Sequence, residues 1–131
     1  MKGFFPDKSD HGAVTPFEYL PCGAITPKAG LALVLTNGLL ALATGATAPT
    51  YICMKDADAA VTIIPVVRVD KDRIYETTNS AAFSSAKIGQ KVTLHTDGLQ
   101  VTATTTNGVA EIVDFDDKAK SGAGGTVHVR F

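Results

Sequence analysis

The chain has 131 residues, a formal net charge of −1, 45% hydrophobic and 19% charged residues, and two cysteines. A length of this order holds one ordinary domain and buries roughly two thirds of its unfolded surface, enough for a core without metal or disulfide staples. Scattered Lys and Arg exclude the basic stripe that neutralises phosphates, and the apolar run at 31–35 is far too short to span a bilayer.

Residues 1–23 show neither helical nor strand periodicity, and Pro6, Pro16, Pro21, Gly3, Gly12 and Gly23 punctuate them. The first twelve also lack the apolar region of a secretory signal. The segment reads as an extended, irregular N-terminal arm that cannot build a core of its own. It nevertheless carries Phe4, Phe5, Phe17 and Tyr19, four of the nine aromatic residues. Aromatic area is costly to leave in water, so the four are expected to dock on the body of the same chain or on a neighbouring protein. They are the candidate partner-binding residues.

From residue 24 to 131 the pattern predicts a mainly β body, a small barrel or sandwich of short strands, possible as two lobes at 24–78 and 88–131. Leu-rich runs at 31–35 and 39–42 flank Thr36-Asn37-Gly38, the signal of a tight hairpin. Strands are expected at 51–54 and 61–69, the latter containing Pro65, which argues for an edge or a bulge because proline cannot donate to a ladder. Residues 73–77 alternate, and 79–87 (NSAAFSSAK) read as a loop or one helical turn with Phe83 as anchor. Alternation at 91–95, 99–104 and 109–115, with turns at Asp97-Gly98 and Asn107-Gly108, predicts three more strands. A Gly-rich loop at 120–125 leads to the last one, 126–131. The bias toward Thr, Val and Ala, with Glu only at 18, 76 and 111, suits strands.

Groups that could carry chemistry do not converge in the sequence. His95 and His128 fall on outward strand faces and could meet if their strands pair, and one of Asp114, Asp116 or Asp117 would complete a set of metal-ligand types. No HxH, HExxH or CxxC spacing supports such a site, and 114–117 lacks the alternating oxygen ligands of a calcium loop. Cys22 and Cys53 read as small buried thiols. The glycine loop precedes a strand where a phosphate loop would open a helix. Ser84 and Ser85 have no base beside them. No enzyme, cofactor, metal site or small-molecule substrate is expected.

The stretch 26–52, TPKAGLALVLTNGLLALATGATAPTYI, behind its Pro- and Gly-containing arm, resembles the head decoration (capsid cement) proteins of tailed phages. The similarity lies in Thr26-Pro27, the hairpin at Asn37-Gly38 and the Ala- and Gly-rich 41–49. The later GQKVTLHTDGLQVTATTTNGVAEIVDF looks like the strand-turn-strand endings of the same family. The resemblance implies a structural, non-enzymatic role on the outside of an expanded head shell. The partner would be the major capsid protein, the protein a homotrimer, made in the host cytoplasm and carried in the virion. The arm would be the capsid-facing element. From the residues alone, a small β-rich binding module for carbohydrate or cell-surface recognition stands as the alternative.

Overall fold

The computed structural model describes residues 3–9 and 17–131, the side chains of 6–9 excepted. Among these residues the strands are β1 (Phe5–Ser9), β2 (Phe17–Pro21), β3 (Ala32–Thr36), β4 (Leu39–Leu42) and β5 (Tyr51–Cys53). There follow β6 (Ile63–Arg68), β7 (Arg73–Thr78), β8 (Lys91–Val92), β9 (Ala110–Phe115) and β10 (Thr126–Arg130), with one short helix, α1 (Asp117–Ser121), before β10. With 41% strand and 4% helix the protein is mainly β, as the alternation predicts. The strands form two antiparallel sheets and no closed barrel. The first has the order β1-β7-β10-β9-β8, the second β2-β6-β5-β3-β4.

Local chemistry sets the hairpin of the second sheet. Asn37 and Gly38 both adopt positive φ, 52° and 79°, which a two-residue turn matching the strand twist requires. Thr36 then pairs with Leu39 and Leu33 with Leu42. Alternation divides the side chains of this sheet. Ala32, Ile52 and Val67 face the first sheet and join Tyr75, Val92, Ile112, Val127 and Val129 in the main core. Leu33, Leu40, Tyr51, Cys53, Ile64 and Val66 form a second core on the other side. That side is closed because the sheet curls. Its edge strands approach at one parallel bridge, Cys22 with Leu40, where the Gly23 N–H donates to the Leu40 carbonyl at 3.0 Å.

Four expectations need correction. Residues 1–2 and 10–16 of the expected arm lie outside the described residues, but the rest of it is built into the sheets. β1 pairs with β7 and β2 with β6. The Gly3 N–H donates to the Leu99 carbonyl at 2.8 Å and that of Phe4 to Gly30 at 2.7 Å. Gly3 and Gly30 lie back to back at φ near 90°, and a Cβ on either would come within 2.9 Å of the other's backbone. This close approach lets the Phe4 ring enter the core. The sequence hid it because backbone pairing at a sheet edge needs no apolar alternation.

Pro65 is not on an edge: β6 runs between β2 and β5. It is tolerated because its carbonyl accepts from Met54, just past the end of β5, where the missing N–H breaks no ladder bond. The chain changes sheets between Arg68 and Arg73, and not between 78 and 88, so a division into lobes at 24–78 and 88–131 does not follow the sheets. Residues 99–104 form no ladder strand. They pair with 93–95 as an irregular hairpin, with Thr102 N–H to Thr93 O at 3.0 Å and His95 N–H to Gln100 O at 2.9 Å.

Phe4 is fully buried and its ring meets Phe131 edge-on at 5.4 Å. Phe4→Ala should therefore lower unfolding free energy by about 3–5 kcal/mol in urea denaturation. An aromatic on a free arm would change it by less than about 0.5 kcal/mol.

Candidate docking face

The four candidate partner-binding residues separate. Phe4 is in the core, and Phe5 is half-buried, its ring against Gly30. Phe17 and Tyr19 remain 55% and 68% exposed. Both lie on β2, two residues apart, so they share a face. Register places Phe17 opposite Val67, Tyr19 opposite Pro65 and Pro21 opposite Ile63, which puts Ile63, 58% exposed, in the same row. Val67 at one end faces the main core, so the row continues the inner face of the second sheet out beyond the cover of the first. Leu20, on the opposite side of β2, packs against the second core.

Ile63 is a docking candidate that the sequence reading missed. In the apolar run 61–69 nothing distinguishes an outward Ile63 from an inward Ile64. The usable signal was Phe17 and Tyr19 at i and i+2, an alternation that predicts a strand with one aromatic face. On the opposite face of the same strands, Arg68 Nη2 lies 3.4 Å from Glu18 Oε1, an exposed pair that contributes at most about 1 kcal/mol.

The outer face of the first sheet is polar. His128 on β10 contacts Asp114 of β9 through Nδ1 and Glu76 of β7 through Nε2, the latter at 3.3 Å. The expected neighbour His95 is elsewhere, with Nδ1 3.3 Å from Asp97. Both ring nitrogens of His128 face different carboxylates from opposite sides, so no one ion position reaches all three groups. Among the described residues no cluster of His, Cys, Asp and Glu is arranged to hold a metal. Cys22 and Cys53 are buried free thiols that donate to the Val61 and Lys55 carbonyls, and burial pushes the Cys53 thiol up.

Asp116 and Asp117 open α1. Asp116 is the N-cap, accepting from the Ala119 N–H at 2.8 Å through Oδ1 and from Thr126 at 3.1 Å through Oδ2. Behind it, buried Asn79 holds the glycine loop. Its amide nitrogen reaches the carbonyls of Ala81, Ala119 and Gly122, and its oxygen accepts from Gly125. The loop is thus tied to the core through Asn79.

Compared with known proteins, the chain matches no family model, no curated protein and no solved structure. The exposed row on β2 and β6 is therefore weighed on its own chemistry. Three large apolar side chains in register on rigid strands form a surface suited to burying another apolar surface, because aromatics carry the most contact area per residue.

Two outcomes test these polar clusters. Asn79→Ala leaves the buried Gly125 N–H without its acceptor and takes a donor from the Ala81, Ala119 and Gly122 carbonyls, of which Ala119 keeps the Phe83 N–H, and should cost about 1–3 kcal/mol by denaturation. The bonds from Ala119 and then Thr126 lower the Asp116 carboxyl below the ordinary aspartate range. A depressed folded value means the cap stabilises fully above about pH 4 and is lost as pH falls through the folded value. Hydrogen exchange on acidification should therefore open the Ala119 and Thr126 amides early, and in Asp116→Ala they should already be open at neutral pH.

Proposed function

We propose that the protein is a phage or prophage capsid decoration protein that binds the outer surface of the assembled head shell and stabilises it without catalysis. The observation that carries the reading is the exposed apolar row Phe17, Tyr19 and Ile63 on paired strands. It is joined by the resemblance of residues 26–52 to head decoration proteins. A ligand that binds only the assembled lattice lowers the free energy of that lattice and opposes its rupture by mass action. Many copies act on one particle, so each contact can be small. The partner is the major capsid protein, the place is the virion surface, and the assembly on the shell is a homotrimer. The contact lies on β2 and β6, since Phe4 is committed to the core.

A second reading is favoured by one observation: Phe17 and Tyr19, side by side and exposed, also offer a stacking platform for a sugar polymer. One experiment separates the two. Phe17→Ser with Tyr19→Ser removes aromatic area worth about 1.5–3 kcal/mol per residue. Cosedimentation with expanded capsids should weaken by roughly tenfold or more per residue, whereas Ile88→Ser, at an exposed site in a distant loop, should change nothing. Undiminished capsid binding by the double variant would overturn the proposed contact. Retention of the wild type on insoluble polysaccharide, with no capsid binding, would favour the second reading.

A further inference from the structure

A cavity of about 300 Å³ opens at the seam where the chain crosses from one sheet to the other. Ala48, Pro49, Val69 and the Phe131 ring give it apolar walls, and Arg68 and Lys71 are the charged members of its lining, which contains no acidic side chain. Arg68 is held in place from the side: its guanidinium stacks over the Tyr51 ring at 5.0 Å, and one nitrogen reaches Glu18 at 3.4 Å. A guanidinium has five N–H donors, so this leaves donors directed to solvent beside the apolar walls. Asp70 and Asp72 flank Lys71 in sequence, with Asp70 Oδ1 accepting from the Asp72 N–H at 2.8 Å, and neither belongs to the lining.

The position adds to the case. Phe131 packs on Phe4 and Tyr75, both fully buried, so one wall is fixed by the main core. The Val69 N–H donates to the Thr50 carbonyl at 2.9 Å, which ties the two segments that frame the opening. The volume lies at the small end of ligand sites and admits a group the size of a phenyl ring on a short chain. Apolar walls bind such a group, and Arg68, held by Tyr51 and paired with Glu18 through one nitrogen at 3.4 Å, keeps further N–H donors for an anion attached to it.

We propose that this cavity binds a small carboxylate carrying an aromatic or branched aliphatic group. Two sources offer that chemistry, a free organic acid or the carboxyl-terminal residue of a polypeptide. The site is separate from the β2–β6 row and does not depend on the shell reading.

The test is amide chemical-shift titration of the full chain with 3-phenylpropionate, 3-phenylpropanamide and N-acetylphenylalanine. The carboxylates should shift Thr50, Val69 and Lys71 with dissociation constants of about 0.1–10 mM, and the neutral amide should bind at least about fivefold more weakly. Preference for N-acetylphenylalanine identifies a polypeptide terminus as the source, and preference for 3-phenylpropionate a free acid. Arg68→Gln, a surface change, should weaken either carboxylate about five- to tenfold with an otherwise unchanged spectrum. Ala48→Leu, which fills the space, should abolish binding. No shift at about 10 mM, equal binding of acid and amide, or unchanged affinity in Arg68→Gln would each overturn the proposal.

Discussion

The two sheets are joined by backbone hydrogen bonds that run through the hairpin at 93–104, and the rest of the structure depends on them. Apolar burial is non-directional, so it cannot by itself fix how one sheet sits on another. In this hairpin Leu94 exchanges both bonds with Gly45 beside the second sheet, at 2.9 and 3.0 Å. Val101 does the same for the first sheet, donating to Thr78 and accepting from Ser80. Its turn takes bonds from Ala32 to Gly98, and from Gly3 and the Thr77 hydroxyl to Leu99. Buried backbone groups must be paired somewhere. Here they are paired across elements, which is why these residues form bridges and no regular ladder.

That arrangement leaves the molecule with two unlike outer surfaces. The first sheet turns outward the polar members of β7, β9 and β10, with His128 between two carboxylates. The second sheet buries both of its faces, one on the first sheet and one inside its own curl. What it exposes includes Leu35, Leu39 and Leu42 on β3 and β4 and, with the largest side chains, the margin of β2 and β6, where the curl carries the strands past the sheet that covers them. An apolar row there is a consequence of topology: residues patterned to face inward run out of cover. Phe17 and Tyr19 exceed what an ordinary sheet margin would carry, because charged residues are the usual means of keeping an edge soluble.

The fold class was legible because alternation and turn residues act locally. Asn37-Gly38 specified its hairpin, Phe83 anchored its loop in the core as a lone aromatic among small residues should, and the ends of β4 fell where the pattern put them. What escaped depends on distant partners. Nothing near Gly3 shows that Gly30 waits against it, and nothing near Asn79 shows that the carbonyls of 119 and 122 lie within its reach. Pro65 misled for the same reason, since its acceptability rests on where β5 ends. The short helix α1 could have been read from Asp116 at its cap, but an acidic run at a strand end looks the same in composition. Half of the candidate contact was legible: aromatic area near the N-terminus, without the register that separates Phe4 from Phe17 and brings in Ile63.

Rigidity decides how a contact on this row would be energetically useful. Aromatics on a free arm gain about 1.5–3 kcal/mol each on burial but lose about 1–2 kcal/mol for every backbone residue that becomes fixed, so a long arm nearly cancels its own gain. On β2 the backbone is already fixed. All five residues pair with β6, and β6 pairs in turn with β5. Just beyond β2, Cys22 is held by Leu40 on the far edge of the curl and by its N–H to the Thr62 carbonyl at 2.9 Å. Docking then spares the backbone-ordering cost, leaving the rotamer freedom of three side chains and the rigid-body freedom of association for the burial energy to offset. Phe4 is committed to the core by its own bond to Gly30, and separate pairing of β2 with β6 leaves Phe17 and Tyr19 with less entropy to lose.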